Sequence, residues 1–185
     1  VLFCGLLFRI FTLSDQRLVK AADRQSKVTV NVGAVRGPFY DRNKKPLVNA
    51  ETVYRAAVTA NPKALTALSQ VLDADAFSTI NKTLQVGRPA VVSLPRPVAA
   101  QEGISLFQVP LRYADRVLAP HVLGYTDADL STGLTGLESA LDTFLSQFGG
   151  RAKVTYTVGA TGKPREGVAP TIENTLSRAN GGAVL

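Results

Sequence analysis

The chain has 185 residues, 45% of them hydrophobic and 19% charged, a balance that excludes compositional disorder and suits one medium domain. Its formal charge of +7 is uneven: residues 1–50 carry nine basic and three acidic side chains, whereas residues 101–150 carry two and six. A single cysteine, Cys4, and a single histidine, His121, exclude an internal disulfide and a Cys- or His-rich metal site.

The opening run, VLFCGLLFRIFTL, is apolar except for Arg9. It is shorter than the roughly 20 residues that span a bilayer. Two readings fit it: the outer end of a membrane helix whose beginning lies upstream, with Arg9 snorkelling to the interface, or a buried core helix. The polar segment that follows, SDQRLVKAADRQSK, is compatible with a helix. No methionine occurs, so the chain is expected to belong to a longer reading frame.

KVTVNV places Val28, Val30 and Val32 on one face of a strand. Asp41-Arg42-Asn43-Lys44 is turn chemistry, with Asn43 suited to the left-handed region. Residues 48–58 return as strand or extended chain. Asn61-Pro62 caps and starts a helix striped by Leu65, Leu68, Val71 and Leu72. Asp75 is expected to cap a second, shorter helix carrying Phe77, Ile80 and Leu84, which Gly87 ends. AVVSL is a short strand, and residues 104–109 alternate as another. Pro120 starts a short helix. Thr135-x-x-Glu138 matches a capping box, ahead of one helix whose buried face is Leu137, Leu141, Phe144, Leu145 and Phe148, stopped by Gly149-Gly150. VTYTV is a strand, GATGKP a turn, and the tail carries weak signals. Helices and strands without βαβ alternation predict an α+β fold with antiparallel sheet.

Reaction chemistry is sparse. No Walker loop, GxGxxG, HExxH or GxSxG is present. Asp127 and Asp129 read as a solvated turn, and His121, behind Pro120, as a packed or capping side chain. No catalytic, cofactor or metal residue is assigned. A basic chain raises nucleic acid as a partner, but no nucleic-acid fingerprint or aromatic-basic stripe supports it.

Three segments together resemble the N-terminal, non-catalytic region of class B penicillin-binding proteins. Arg36-Gly37-Pro38-Phe39-Tyr40-Asp41-Arg42-Asn43 is like that family's RGxIxDRNGxxLA. Arg112-Tyr113 followed by His121-Val122-Leu123-Gly124-Tyr125 is like its RxYP and AAHVLGY. Gly133-Leu134-Thr135-Gly136-Leu137-Glu138 is like its GxxGLE. The likeness covers about residues 21–162. It departs at Lys44, where the family usually has a turn glycine, at Ala114 for the proline, at Leu141, often aromatic, and at Gly159, often aspartate.

The resemblance implies the dimerisation-domain fold of these proteins and the following organisation: 1–13 the end of a membrane anchor, 14–26 a juxtamembrane helix, 27–170 the domain, and 171–185 a lead-in to a transpeptidase domain. It implies a single-pass protein of the bacterial cell membrane with most of the chain extracytoplasmic. The implied partners are its own transpeptidase domain, membrane proteins of cell-wall synthesis, division or sporulation, and a second copy in a homodimer. The family's enzymatic motifs S-x-x-K, S-x-N and K-T-G do not occur, so penicillin acylation is not expected from these residues. The rival readings are the D,D-transpeptidase enzyme itself, acting through residues beyond this sequence, and a basic RNA-binding domain. Taken with the physics of guanidinium and carboxylate, the resemblance further implies that Arg36, Arg112 and Glu138 converge in a structural cluster.

Overall fold

A computed structural model describes residues 26–114, 119–178 and 182–185. The expected anchor and all but the last residue of the juxtamembrane helix lie outside these. Among the described residues no helix is long and apolar enough to cross a membrane. In chain order the elements are β1 (Lys27–Val35), β2 (Phe39–Tyr40), β3 (Glu51–Val58), α1 (Pro62–Ser69), α2 (Ala74–Gln85), β4 (Ala90–Leu94) and β5 (Ile104–Leu111). They are followed by α3 (Pro120–Leu123), α4 (Gly136–Ala140), α5 (Asp142–Gln147), β6 (Gly150–Thr157), β7 (Thr171–Asn174), a short 3-10 turn (Leu176–Arg178) and β8 (Ala183–Val184).

Two three-stranded antiparallel sheets, ordered β1-β6-β7 and β4-β3-β5, carry the fold. Between them lies one core, with Val32 and Val35 of β1, Val154 of β6, Ala57 of β3, and Phe107 and Val109 of β5. The helices α1 and α2 cover the opposite face of the second sheet, where Leu68 and Leu84 pack with Ala56, Val58 and Val92. Strand β3 is therefore buried on both faces, and the period-two geometry sends Ala57 to one core and its neighbours to the other. Full burial of a leucine such as Leu68 contributes about 1.5–3 kcal/mol.

The α+β class is observed, mostly with antiparallel strands; β2 and β8 are the exception, pairing in parallel through Phe39–Ala183 and Tyr40–Val184. The tail thus supplies β8 to β2 and β7 to β6. Two local expectations are corrected in the helical layer. The residue that caps α2 is Asp73, whose carboxylate accepts the N–H of Ala76 at 2.7 Å, not Asp75. Asp75 stands in the first turn, where its charge meets the helix dipole. With 12 residues against 8, α2 is also the longer helix.

The turn after β2 differs in detail from expectation. Asp41 accepts the N–H groups of Asn43 and Lys45 on one carboxylate oxygen, at 2.8 and 2.7 Å. That grip reverses the chain at Lys44, which takes the left-handed conformation with φ 62 in place of Asn43. A side chain there costs about 1–2 kcal/mol, partly offset by the extra freedom of an unfolded glycine. Lys44→Gly is expected to stabilise the chain by roughly 1 kcal/mol in urea denaturation; an unchanged or lowered midpoint would show the strain to be relieved elsewhere.

Candidate functional site: a buried ion cluster joining distant segments

The chain leaves β1 at Arg36, leaves β5 at Arg112, and enters α4 with Glu138 in its first turn. All three side chains are buried, with 0%, 3% and 0% of their surface exposed. Arg36 donates from Nε to Glu138 Oε2 at 3.1 Å. Arg112 donates from Nε and Nη2 to Glu138 Oε1 at 2.8 and 2.5 Å. Tyr113 adds its hydroxyl to the same oxygen at 3.1 Å. The remaining Arg112 nitrogen, Nη1, reaches the carbonyls of Arg36 and Gly37 at 3.1 and 2.8 Å. Its guanidinium lies over the ring of the fully buried Phe39, 5.4 Å from the centroid, an arrangement that favours a desolvated cation.

Sequence reasoning missed three participants. Asp142 accepts Arg36 Nη2 at 2.6 Å and the N–H of Gly133 at 2.7 Å. Its spacing four residues after Glu138, which in the single helix expected from the sequence would put both carboxylates on one face, is the signal that could have found it. The ionic group is therefore two cations with two anions, so its formal charge balances, with Asp142 at the partly exposed edge (36%) of the buried Arg36, Arg112 and Glu138. Tyr113 was visible only as Arg112's neighbour. Asn49 left a fainter trace, an asparagine whose backbone is left-handed (φ 59) and whose amide donates to the Arg36 carbonyl at 2.8 Å. The pairing is also not a parallel two-on-two fork: Arg112 places both nitrogens on one oxygen, and Arg36 divides its donors between Glu138 and Asp142.

Because the carboxylate of Glu138 turns inward, no capping box forms. Thr135 occupies the N-cap without a side-chain cap bond, and its hydroxyl instead accepts the Tyr125 N–H at 3.1 Å. Two guanidiniums offer Glu138 charge-assisted bonds that a single backbone N–H cannot match. The expected single helix is broken at Leu141 into α4 and α5, and Phe144 is exposed while Leu145 is fully buried. The other motif residues divide by place. Gly37 donates its N–H to the Leu145 carbonyl at 3.1 Å. Gly124, Gly133 and Gly136 let the α3–α4 junction close, since a Cβ on Gly124 or Gly133 would fall 1.9 Å from a backbone oxygen. Asp41, Arg42 and Asn43 remain at their turn, away from the cluster, with Arg42 and Asn43 exposed. His121 is exposed rather than packed. Asp127 forms the expected polar turn, accepting the N–H groups of Ser131 and Thr132 at 2.7 and 3.1 Å.

Protonation couples this site to pH. The Gly133 N–H, then Arg36, hold the Asp142 carboxyl below its ordinary 3.8. A lowered folded value stabilises above the unfolded value, and that stabilisation is lost as pH falls through the folded one. Asp142→Asn is thus expected to weaken the chain at neutral pH and to flatten its acid limb in denaturation midpoints taken between about pH 2 and pH 7. An unchanged acid limb would place the sensitivity elsewhere. Tyr113 has the opposite sign: burial, then the Glu138 charge, raise its phenol above 10.0. Its contribution is present below that value and lost as pH rises through the folded one.

Among the described residues no group of three or more His, Cys, Asp or Glu side chains is placed to hold a metal ion. No protein-family model matches the chain, and no curated protein does. Solved structures similar to the chain include penicillin-binding proteins and a peptidoglycan synthetase. A penicillin-binding protein (PBP2) from Helicobacter pylori is 18% identical with a TM-score of 0.43, over 85% of this chain and 36% of that one. A complex of that kind of protein with MreC, also from Helicobacter pylori, gives 19% and 0.35, over 78% and 34%. A peptidoglycan synthetase from Bifidobacterium adolescentis gives 16% and 0.38, over 80% and 34%. The chain spans about a third of the length of these structures.

Proposed function

We propose that this chain is the non-catalytic N-terminal module of a membrane-anchored class B penicillin-binding protein, serving peptidoglycan synthesis as a rigid spacer outside the cell. One observation carries the reading. The segments whose wording resembles that family's three motifs, more than a hundred residues apart at their extremes, supply Arg36, Arg112 and Glu138 to a single buried cluster. A cluster whose donors go to Glu138, Asp142 and backbone carbonyls is suited to holding segments in place rather than to turning over a substrate. In the intact protein the module would sit on a membrane helix, hold a transpeptidase domain clear of the bilayer, and present a surface to other cell-wall, division or sporulation proteins or to a second copy. The D,D-transpeptidase activity would belong to a further domain bearing S-x-x-K.

The test uses the parent gene. The full product is expected to carry S-x-x-K, to be labelled by a fluorescent penicillin and to sediment with membranes. Residues 1–185 alone are expected to take no label. A parent without S-x-x-K that stays unlabelled, or salt-sensitive RNA binding by residues 1–185, would overturn the reading.

A further inference from the structure

The loop between Asp127 and Thr132 stands between two clefts of about 230 and 250 Å³. Both are lined by Ala34, Leu130 and Arg151, so they adjoin across the Leu130 wall, which is itself held in the left-handed conformation at φ 54. Arg55 lines the first cleft and Arg36 the second. Each leaves a buried donor without an acceptor: Nε of Arg55 and Nη1 of Arg36 are the unpartnered buried side-chain atoms among the described residues. Elsewhere the same guanidiniums are well used, Arg55 Nη1 on the Val32 carbonyl at 3.2 Å and Arg36 on Glu138 and Asp142. Of the two, Arg55 Nε belongs to the side chain that shares the first cleft with Arg151, and an idle donor there is not the pattern of a site satisfied by its own chain.

We infer that the first cleft binds a small oxyanion, a phosphate or carboxylate group, between Arg55 and Arg151. The charges favour it. Arg36 and Arg112 are balanced by Glu138 and Asp142, but among the described residues Arg55 and Arg151, which line the first cleft, make no ion pair, against one lining acid, Asp129. One positive charge is therefore left over at the groove. Guanidinium groups present planar, weakly hydrated donors that match phosphate and carboxylate oxygens. The clefts are small enough to take one anionic group and fall below the size usual for drug-sized ligands. The bulge at Val32, which shifts the register between Asn31 and Gly33, places Asn31, Gly33 and Ala34 along the first cleft, a use of bulges common beside sites.

The experiment is a nuclear magnetic resonance titration of the 185-residue chain with sodium phosphate, sodium acetate and, at matched ionic strength, sodium chloride. The Arg55 Nε–H signal and the backbone amides of Ala34 and Arg151 are expected to move and saturate with phosphate, and to stay still with chloride. Saturation by acetate as well would define the site as a general oxyanion site; saturation by phosphate alone would define it as a phosphate site. Arg151→Gln, at an exposed position, should weaken binding at least tenfold without unfolding the chain, and Arg55→Gln should do the same. Shifts that never saturate, that chloride reproduces, or that both variants retain would overturn the inference, leaving only water at the groove.

Discussion

Glu138→Ala is expected to cost about 3–5 kcal/mol, because it strips the acceptor from two buried cations at once. Arg36 would keep Asp142 and two carbonyls, and Arg112 would keep the carbonyls of Arg36 and Gly37. Neither arginine can retreat to water, since both are buried behind β1, β5 and the Phe39–Leu145 core. For a chain of this size the loss corresponds to a fall in Tm on the order of 10 °C, and it is a large share of the 5–15 kcal/mol that holds a typical domain together. Glu138→Gln keeps one accepting oxygen but removes the charge and turns a donating NH2 toward the other arginine, and should fall between alanine and the native residue. The decisive measurement is a double-mutant cycle with Arg36→Ala in urea: direct partners should couple by about 0.5–3 kcal/mol. Additive costs would show that the three side chains share a location without sharing energy.

The second large effect is steric. A Cβ at Gly133 would stand 1.9 Å from the carbonyl oxygen of Glu138 and 2.7 Å from the nitrogen of Ser139. These are backbone atoms at the start of α4, so no side chain can swing aside. The same carbonyl accepts Arg36 Nη2 at 3.1 Å, and the Gly133 N–H holds Asp142. Gly133→Ala must push α4 outward and loosen both sides of the cluster together. Overpacking usually costs about 1–3 kcal/mol and sometimes more; with backbone as the obstacle, on the order of 3 kcal/mol or above is expected here. Gly167→Ala is the control, because that glycine has φ +73 but open space around its Cβ position; it should cost only the roughly 1–2 kcal/mol of the left-handed backbone. Equal denaturation midpoints for the two variants would refute the close-packing account.

Much of the local structure was written in the chain. The valine alternation of β1, the Asn61-Pro62 start of α1 and the Gly87 break act within a few residues, and local sterics and hydrogen bonding decide them. The errors around α4 and α5 share one cause. Thr135-x-x-Glu138 has the spacing of a capping box, and locally that is its best arrangement. Arg36 and Arg112 lie 102 and 26 residues away, and their charge-assisted bonds outcompete a cap that no longer has its carboxylate. The helix broke at Leu141 although its apolar spacing continued. Asp142 then anchors Gly133 and Arg36 while Leu145 enters the core beside Phe39.

The three residues that combine at the cluster were named by the resemblance to a family's motifs; composition and order alone determined the α+β class and the uneven charge. Those properties depend on residue type and on neighbours a few positions apart. Only the tertiary structure decided that Asp142 completes the charge balance, that Leu141 divides the helix, and that Arg55 keeps an idle donor beside the cleft it shares with Arg151. Burial removes water as the default partner, so every remaining bond depends on which distant group the fold brings within about 3 Å.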